Sequence, residues 1–260
     1  MVKRVKIRFL GAHNCESQET RLVSLLVDDV LALDAGGLTS GLSFSAQLKL
    51  KAVLLTHQHF DHIRDIPTLA MNFFLRRASI NIYSIPPVFD TLKAYFLNDK
   101  LYPNFLELPA SKPTLRFTAL EPLKPVQIEG YSILAVPVSH SQSAVGYQIT
   151  SHDGQALFYT GDTGPGLTEC WQQVSPQLLI TEVTASSRYD DFGRESGHLT
   201  PNLLKQELIV FRKLKGYLPK VATVHMNPDL EAEIARELAA MAEELHATIA
   251  LAHEGMEFRL

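Results

Sequence analysis

The stretch LLTHQHFDHIRD, residues 54–65, places three histidines and an aspartate between positions 57 and 62, directly behind the apolar run 52–55. Imidazoles crowded this closely repel one another when protonated and waste hydrogen-bonding capacity when buried neutral. A divalent cation removes both penalties, because neutral imidazole and carboxylate are the ligands it takes. The apolar run reads as a buried strand, so the cluster stands at a strand end, where a loop can build a site on a rigid support.

The same arrangement recurs along the chain. Asp34 follows VLAL, His140 follows ILAVPVS, Asp162 follows ALFYTG and His225 follows VATV. Strands sharing a sheet bring such ends together along one edge. His57, His59, Asp61, His62, His140, Asp162 and His225 are therefore the candidate ligands, a set suited to two cations bridged by one carboxylate and a water. His225 is preferred to His253, which also follows an apolar strand, for its position after the strand ending at Glu182. His13, His152 and His246 read as loop, hairpin and helix-surface residues, with His13 placed near the site mouth.

The intervening segments supply the scaffold. Alternation and apolar runs predict strands at 5–11, at 22–33 with a turn at Asp28-Asp29, at 52–55 and at 80–85. Further strands are predicted within 114–160, at 177–183, at 220–226 and near the C-terminus. Helical patterns occupy 63–77, 86–99, 201–214 and 229–247, the last with Asp229 as its N-cap. No repeat or composition break divides the chain, so residues 1–260 read as one α/β domain with sheets between helical layers.

Bulk composition narrows the function classes. A formal net charge of −4 gives no overall basic surface, so long nucleic acid is not an expected partner. Cys15 and Cys170 form no CxxC pair, which favours a reduced chain. The N-terminus is basic but lacks the apolar core of a signal peptide, and no run approaches the roughly 18 apolar residues of a membrane span. The expected protein is cytoplasmic, with no membrane partner.

The THQHFDH motif and the later strand ends together resemble the metallo-β-lactamase superfamily, whose signature is HxHxDH followed by spaced His, Asp and His. The resemblance covers essentially the whole chain and implies a four-layer αββα sandwich. It implies a first cation held by His57, His59 and His140, and a second held by Asp61, His62 and His225. Asp162 would bridge them and buried Asp34 would orient the motif. The cations are expected to be zinc first, with iron and manganese also accepted by such donors.

Within the superfamily, no cysteine stands at Asp162, as it does in lactamases of this fold. No glutamate replaces the first histidine pair, as in diiron oxygen-reducing members. Residues 178–201, LLITEVTASSRYDDFGRESGHLTP, look like the phosphodiesterase segment in which a glutamate orients a Gly-His histidine, here Glu182 and His198. Those two, with Asp61, are the expected catalytic groups. GDTGPG, SGHLTP, YPNF and HMNP together are similar to class II 3′,5′-cyclic-nucleotide phosphodiesterases.

The resemblance thus implies attack on a small nucleotide phosphodiester by a hydroxide held between the cations. His198 would protonate the leaving oxygen, and Arg188 or Arg194 would offset phosphoryl charge. Tyr189, Phe192 and Phe105 are loop aromatics able to meet a base. Thioesterases and lactonases, RNA-processing endonucleases and diiron redox proteins are the alternatives. The loop 100–113 is too short and apolar to be the RNA-binding arm of transfer RNA 3′-processing enzymes. A homodimer is compatible with the family.

Overall fold

The computed structural model describes residues 4–260; residues 1–3, within the span read as one domain and as the basic N-terminus, lie outside it. One sheet contains β1 (Lys6–Gly11), β2 (Ser24–Val27), β3 (Leu31–Leu33), β4 (Ala52–Leu54), β5 (Ile80–Ser84) and β6 (Leu115–Ala119), with the C-terminal β14 (Glu257–Arg259) beside β1. The other contains β7 (Val126–Ile128), β8 (Tyr131–Pro137), β9 (Val145–Thr150), β10 (Ala156–Tyr159), β11 (Leu178–Glu182), β12 (Lys220–Val224) and β13 (Ile249–Leu251). In each sheet one half is antiparallel and the other parallel.

Eight α-helices complete the αββα sandwich among the described residues: α1 (Phe44–Gln47), α2 (Phe60–Ile63), α3 (Ile66–Phe74), α4 (Pro86–Thr91), α5 (Thr168–Gln173), α6 (Asp190–Ser196), α7 (Pro201–Lys215) and α8 (Glu231–Leu245). Central strands covered on both faces need apolar side chains at every position. β4 and β10 meet that requirement, and β11 does so until Thr181 and Glu182 at its end, with every residue of the three buried. β8 begins by alternating instead.

The β2–β3 hairpin turns on Asp28 and Asp29 with φ of 51° and 58°, the left-handed pair a tight hairpin demands. α7 opens on Pro201, is capped by the Thr200 hydroxyl accepting from Leu203 N, and closes at Gly216 with φ 79°.

Two helix readings need correction. The helix expected over 63–77 begins only at Ile66 and ends at Phe74: α2 stops at Ile63, the Asp65 side chain bonds Thr39 N and Oγ1, and Pro67 opens α3. Asp229 does not cap α8. Asn227 Oδ1 accepts from Asp229 N instead, because Pro228 starts a short 3-10 turn ahead of the helix. Cys15 and Cys170 are both free thiols.

Candidate metal centre

β3 and β4 are parallel, and so are β10, β11 and β12; β8 shares their direction because both β8 and β10 run against β9. The C-terminal ends of these strands lead into Asp34, the 57–62 motif, His140, Asp162, the segment after Glu182, and His225. Hydrogen bonds bring the two sheets together at this edge. Tyr147 donates its hydroxyl to Leu55 O at 2.6 Å, Val145 N donates to Thr56 O at 3.1 Å, and Tyr159 donates to Asp34 Oδ2 at 2.7 Å.

Asp34 is wholly buried and organises the motif. It accepts from Thr56 N at 2.8 Å, from Thr56 Oγ1 at 2.9 Å and from His62 Nδ1 at 2.8 Å. With its hydrogen given to Asp34, Thr56 Oγ1 accepts from His57 Nδ1 at 3.0 Å. His140 Nδ1 donates to Gly197 O at 2.8 Å. Thr184 gives its hydrogen to Glu182 Oε2 at 2.6 Å, and so accepts from His225 Nδ1 at 2.8 Å. Four imidazoles are thus anchored at Nδ1, leaving each neutral ring with an Nε2 lone pair.

Those lone pairs face other acceptors. His62 Nε2 stands 3.1 Å from Asp162 Oδ1, yet both atoms are buried without a hydrogen bond, as is His57 Nε2, 3.7 Å from Asp162 Oδ2. His225 Nε2 lies 3.2 Å from Asp61 Oδ2 and 3.4 Å from Asp162 Oδ2. His140 Nε2 lies 3.1 Å from His59 Nδ1. Lone pairs opposed this way in a buried setting repel until a cation or a proton lies between them. The donor atoms form two groups, each within 4.8 Å: His57, His59, His140 and Asp162, then Asp61, His62, Asp162 and His225. Asp162 belongs to both. The residues present therefore fit divalent cations.

Electrostatics agree. Burial would raise the Asp162 carboxyl, but the surrounding histidines, His225 and His62 foremost, hold it well below the usual range. Burial likewise opposes ionisation of Asp61, and His225 and His62 beside it outweigh that cost. Burial and the nearby His62 charge push His57 well down, whereas for His62 the Asp162 and Asp34 carboxylates overcome burial and raise it. The histidine at the centre of the carboxylates holds a positive charge wherever no cation supplies one.

Beside the two groups stands a second constellation. Glu182, fully buried, accepts from His198 Nδ1 at 2.6 Å and from Thr163 N at 2.9 Å on Oε1. Its Oε2 accepts from Thr184 Oγ1 and, at 3.2 Å, from Leu199 N. Four donors fill its acceptor sites, so although Glu182 and His198 also lie within ligating distance of Asp162 and His225, Glu182 has no lone pair left for a cation. The His198 ring stacks on His225 with centroids 5.4 Å apart. Burial would lower its pKa, but the Glu182 charge and hydrogen bond push it up to about 9.

The other expected participants have these surroundings. Arg188 reaches Glu233 at 3.4 Å and Arg194 bonds Gln206 at 3.3 Å. Phe105 is buried in the core and has no face for a base, while Tyr189 and Phe192 are exposed. His253 is exposed, with Nδ1 at 3.0 Å from the Glu254 carbonyl, leaving His225 as the residue gathered into the cluster. His13 is buried between Glu254, 2.9 Å from Nδ1, and Glu231, 3.4 Å from Nε2.

Three residues escaped sequence reasoning. Thr184, two residues past Glu182, orients His225, as the donor-rich TEVT segment could have signalled. Glu207 is buried on α7 and accepts from Gly166 N, Leu167 N and Trp171 Nε1, tying down the loop after Asp162. Phe60 sits between His59 and Asp61, 60% exposed and stacked on Phe96 at 6.2 Å.

The sequence profile of the Beta-lactamase superfamily domain matches residues 42–246. A probable 3′,5′-cyclic-nucleotide phosphodiesterase of Yersinia pestis is 24% identical over 187 residues, covering 65% of this chain and 52% of that protein. A 3′,5′-cyclic-nucleotide phosphodiesterase of Aliivibrio fischeri is 26% identical over 188 residues, covering 65% and 55%. The match thus spans about half the length of these curated relatives. Among solved structures, unliganded yeast PDE1 superposes with a TM-score of 0.84 at 17% identity, over 99% of each chain. The metallo-β-lactamase fold protein YhfI of Bacillus subtilis gives 0.79 at 19% identity, over 99% of this chain and 100% of that one. With the profile covering most of its length and the αββα sandwich in place, the chain belongs to the β-lactamase superfamily and has the metallo-β-lactamase fold.

Proposed function

We propose that the chain is a hydrolase that opens the phosphodiester of a small nucleotide, most favourably a 3′,5′-cyclic one, with two divalent cations sharing Asp162. The observation that carries this reading is the Glu182–His198 pair set against both donor groups. Two curated relatives named as cyclic-nucleotide phosphodiesterases support the substrate class. His57, His59 and His140 would hold one cation and Asp61, His62 and His225 the other. When bound, the pair supplies Lewis acidity that acidifies water and offsets charge on the phosphoryl oxygens, with zinc the first ion to test.

The chain's own residues do the rest. Asp34, Thr56, Gly197 O and Thr184 fix ring orientations before any ligand arrives, so no reorganisation is left for the reaction itself. Glu182 holds His198 at Nδ1 and favours the imidazolium, leaving Nε2–H to protonate the departing ester oxygen as water adds to phosphorus. Phe60 offers an exposed aromatic face beside the cluster for a base to lie on.

The test is a turnover screen of metal-reconstituted protein against cyclic nucleotides, linear dinucleotides, thioesters and lactones. Hydrolysis of a cyclic nucleotide, reduced by roughly 10²–10⁴-fold in His198→Ala with metal content unchanged, is expected. Turnover confined to thioesters or lactones and indifferent to His198 overturns the proposal.

A further inference from the structure

At the opposite edge of the first sheet from the candidate metal centre, three segments meet where β4, β5 and β6 begin. They are α1 with the residues after it, the C-terminal end of α3, and the loop leading into β6. The Arg76 guanidinium lies 3.9 Å over the Phe44 ring, and Asn72 bonds Gln47, which joins α1 to α3. Phe74, Leu75, Arg77, Pro109 and Lys112 line a groove of about 530 Å³ between α3 and the loop. Asn81 reaches Lys51 O and pairs in register with Arg116, which extends the same face across the strand starts.

Two properties of this face stand out physically. Large apolar side chains project into solvent: Leu75 is 67% exposed and Phe44 54%, and Leu48, Phe74 and Leu108 are exposed as well. Interleaved with them are exposed Lys49, Lys51, Arg76, Arg77, Lys112 and Arg116, against one acid, Glu107. That bias occurs in a chain whose formal net charge is −4. Nearby Asp29 is occupied with Lys6 and Arg8. Apolar groups ringed by cations are the composition that seats at an anionic lipid surface, with the apolar tips in the acyl boundary and the cations among the headgroups.

We propose that this face docks the protein on the surface of an anionic phospholipid bilayer as a peripheral protein. No helix among the described residues is long and apolar enough to cross a membrane, so contact would be superficial. β4 lies between Lys51 at this face and Thr56 at the metal edge, which leaves the candidate active site on the far side of the sheet from a docked bilayer. A phosphodiester backbone would use the same cations but has no use for projecting Leu75 and Leu108, and this favours lipid over nucleic acid.

The test is sedimentation of the full-length chain with vesicles of phosphatidylcholine alone or containing about 30% phosphatidylserine. Binding to the anionic vesicles only, weakened by added salt, is expected. Losing two cations from the surface should lower partitioning by about 25-fold or more in the double variant Arg76→Glu, Arg77→Glu. Leu75→Ser with Phe44→Ser should weaken binding without removing its salt dependence. Circular dichroism of each variant controls for folding. No binding to anionic vesicles, binding untouched by both variants, or binding to single-stranded polyuridylate in place of vesicles overturns the proposal.

Discussion

Replacing Asp34 by asparagine probes the frame of the site while leaving every proposed ligand residue in place. The carboxylate is fully buried and receives Thr56 N, Thr56 Oγ1, His62 Nδ1 and Tyr159 OH, at 2.8, 2.9, 2.8 and 2.7 Å. An asparagine turns one acceptor oxygen into a donor. Whichever way the amide lies, at least one buried donor then faces another donor, at about 1–3 kcal/mol, and the remaining bonds lose their charge assistance. A total near 3 kcal/mol corresponds to a fall of roughly 6–12 °C in Tm for a chain of this size.

If the amide nitrogen meets His62, that ring must move its proton to Nε2, the atom presented to Asp162. Cation affinity should then drop by about 10–100-fold. Thermal unfolding after chelator treatment isolates the first effect, and competition with a chromophoric chelator measures the second. A stripped variant melting within about 2 °C of the parent, with unchanged cation affinity, would refute the reasoning.

Three further outcomes are expected. Glu207→Gln weakens the hold on the Gly166–Leu167 backbone and the Trp171 indole and should cost about 1–3 kcal/mol in denaturant unfolding. Gly36→Ala would place a Cβ 2.0 Å from the Asp61 carbonyl and 2.9 Å from that of Val23, both backbone atoms; the denaturation midpoint should fall, with cation binding through Asp61 impaired. The His13–Glu254 contact makes stability depend on pH. Burial opposes the Glu254 charge, but the His13 hydrogen bond brings its carboxyl down to about 2, so its contribution is full above 4.5 and disappears as pH falls toward 2. His13 is raised despite burial by Glu254 and Glu231, so its contribution is full below 6.5 and is lost as pH rises through its elevated value. Glu254→Gln should therefore lower Tm most between pH 4.5 and 6.5, where the contact is fully formed, and flatten the declines of Tm below 4.5 and above 6.5.

Much of this was legible in the chain because strand ends and ligands coincide. Short, continuously apolar runs mark strands buried on both faces, and the polar residue that breaks each run is the one at the common edge. Asp34, His140, Asp162 and His225 were found that way, and the structure gathers them. What the sequence concealed depends on contacts between distant segments. Glu207 looks like an ordinary polar position of an amphipathic helix until two donors from the loop after Asp162 and one from α5 converge on it. Arg188 and Arg194 sit in a polar stretch, and only the folding of the turn before α6 and of α6 itself against neighbouring segments assigns them to Glu233 and Gln206. Phe105 reads as a loop aromatic, yet packing with Phe74 and Tyr102 buries it. Asn227 and Asp229 are equally good caps by composition; the proline between them decides the matter.

The measurement that bears most directly on the account is cation stoichiometry. Chelator-stripped protein is loaded with zinc, separated from free ion and analysed for metal per chain, alongside Asp162→Ala. Two ions per parent chain and at most one in the variant are predicted, since Asp162 is the donor common to both groups. A parent that retains no zinc, or a variant that retains as much as the parent, would contradict it.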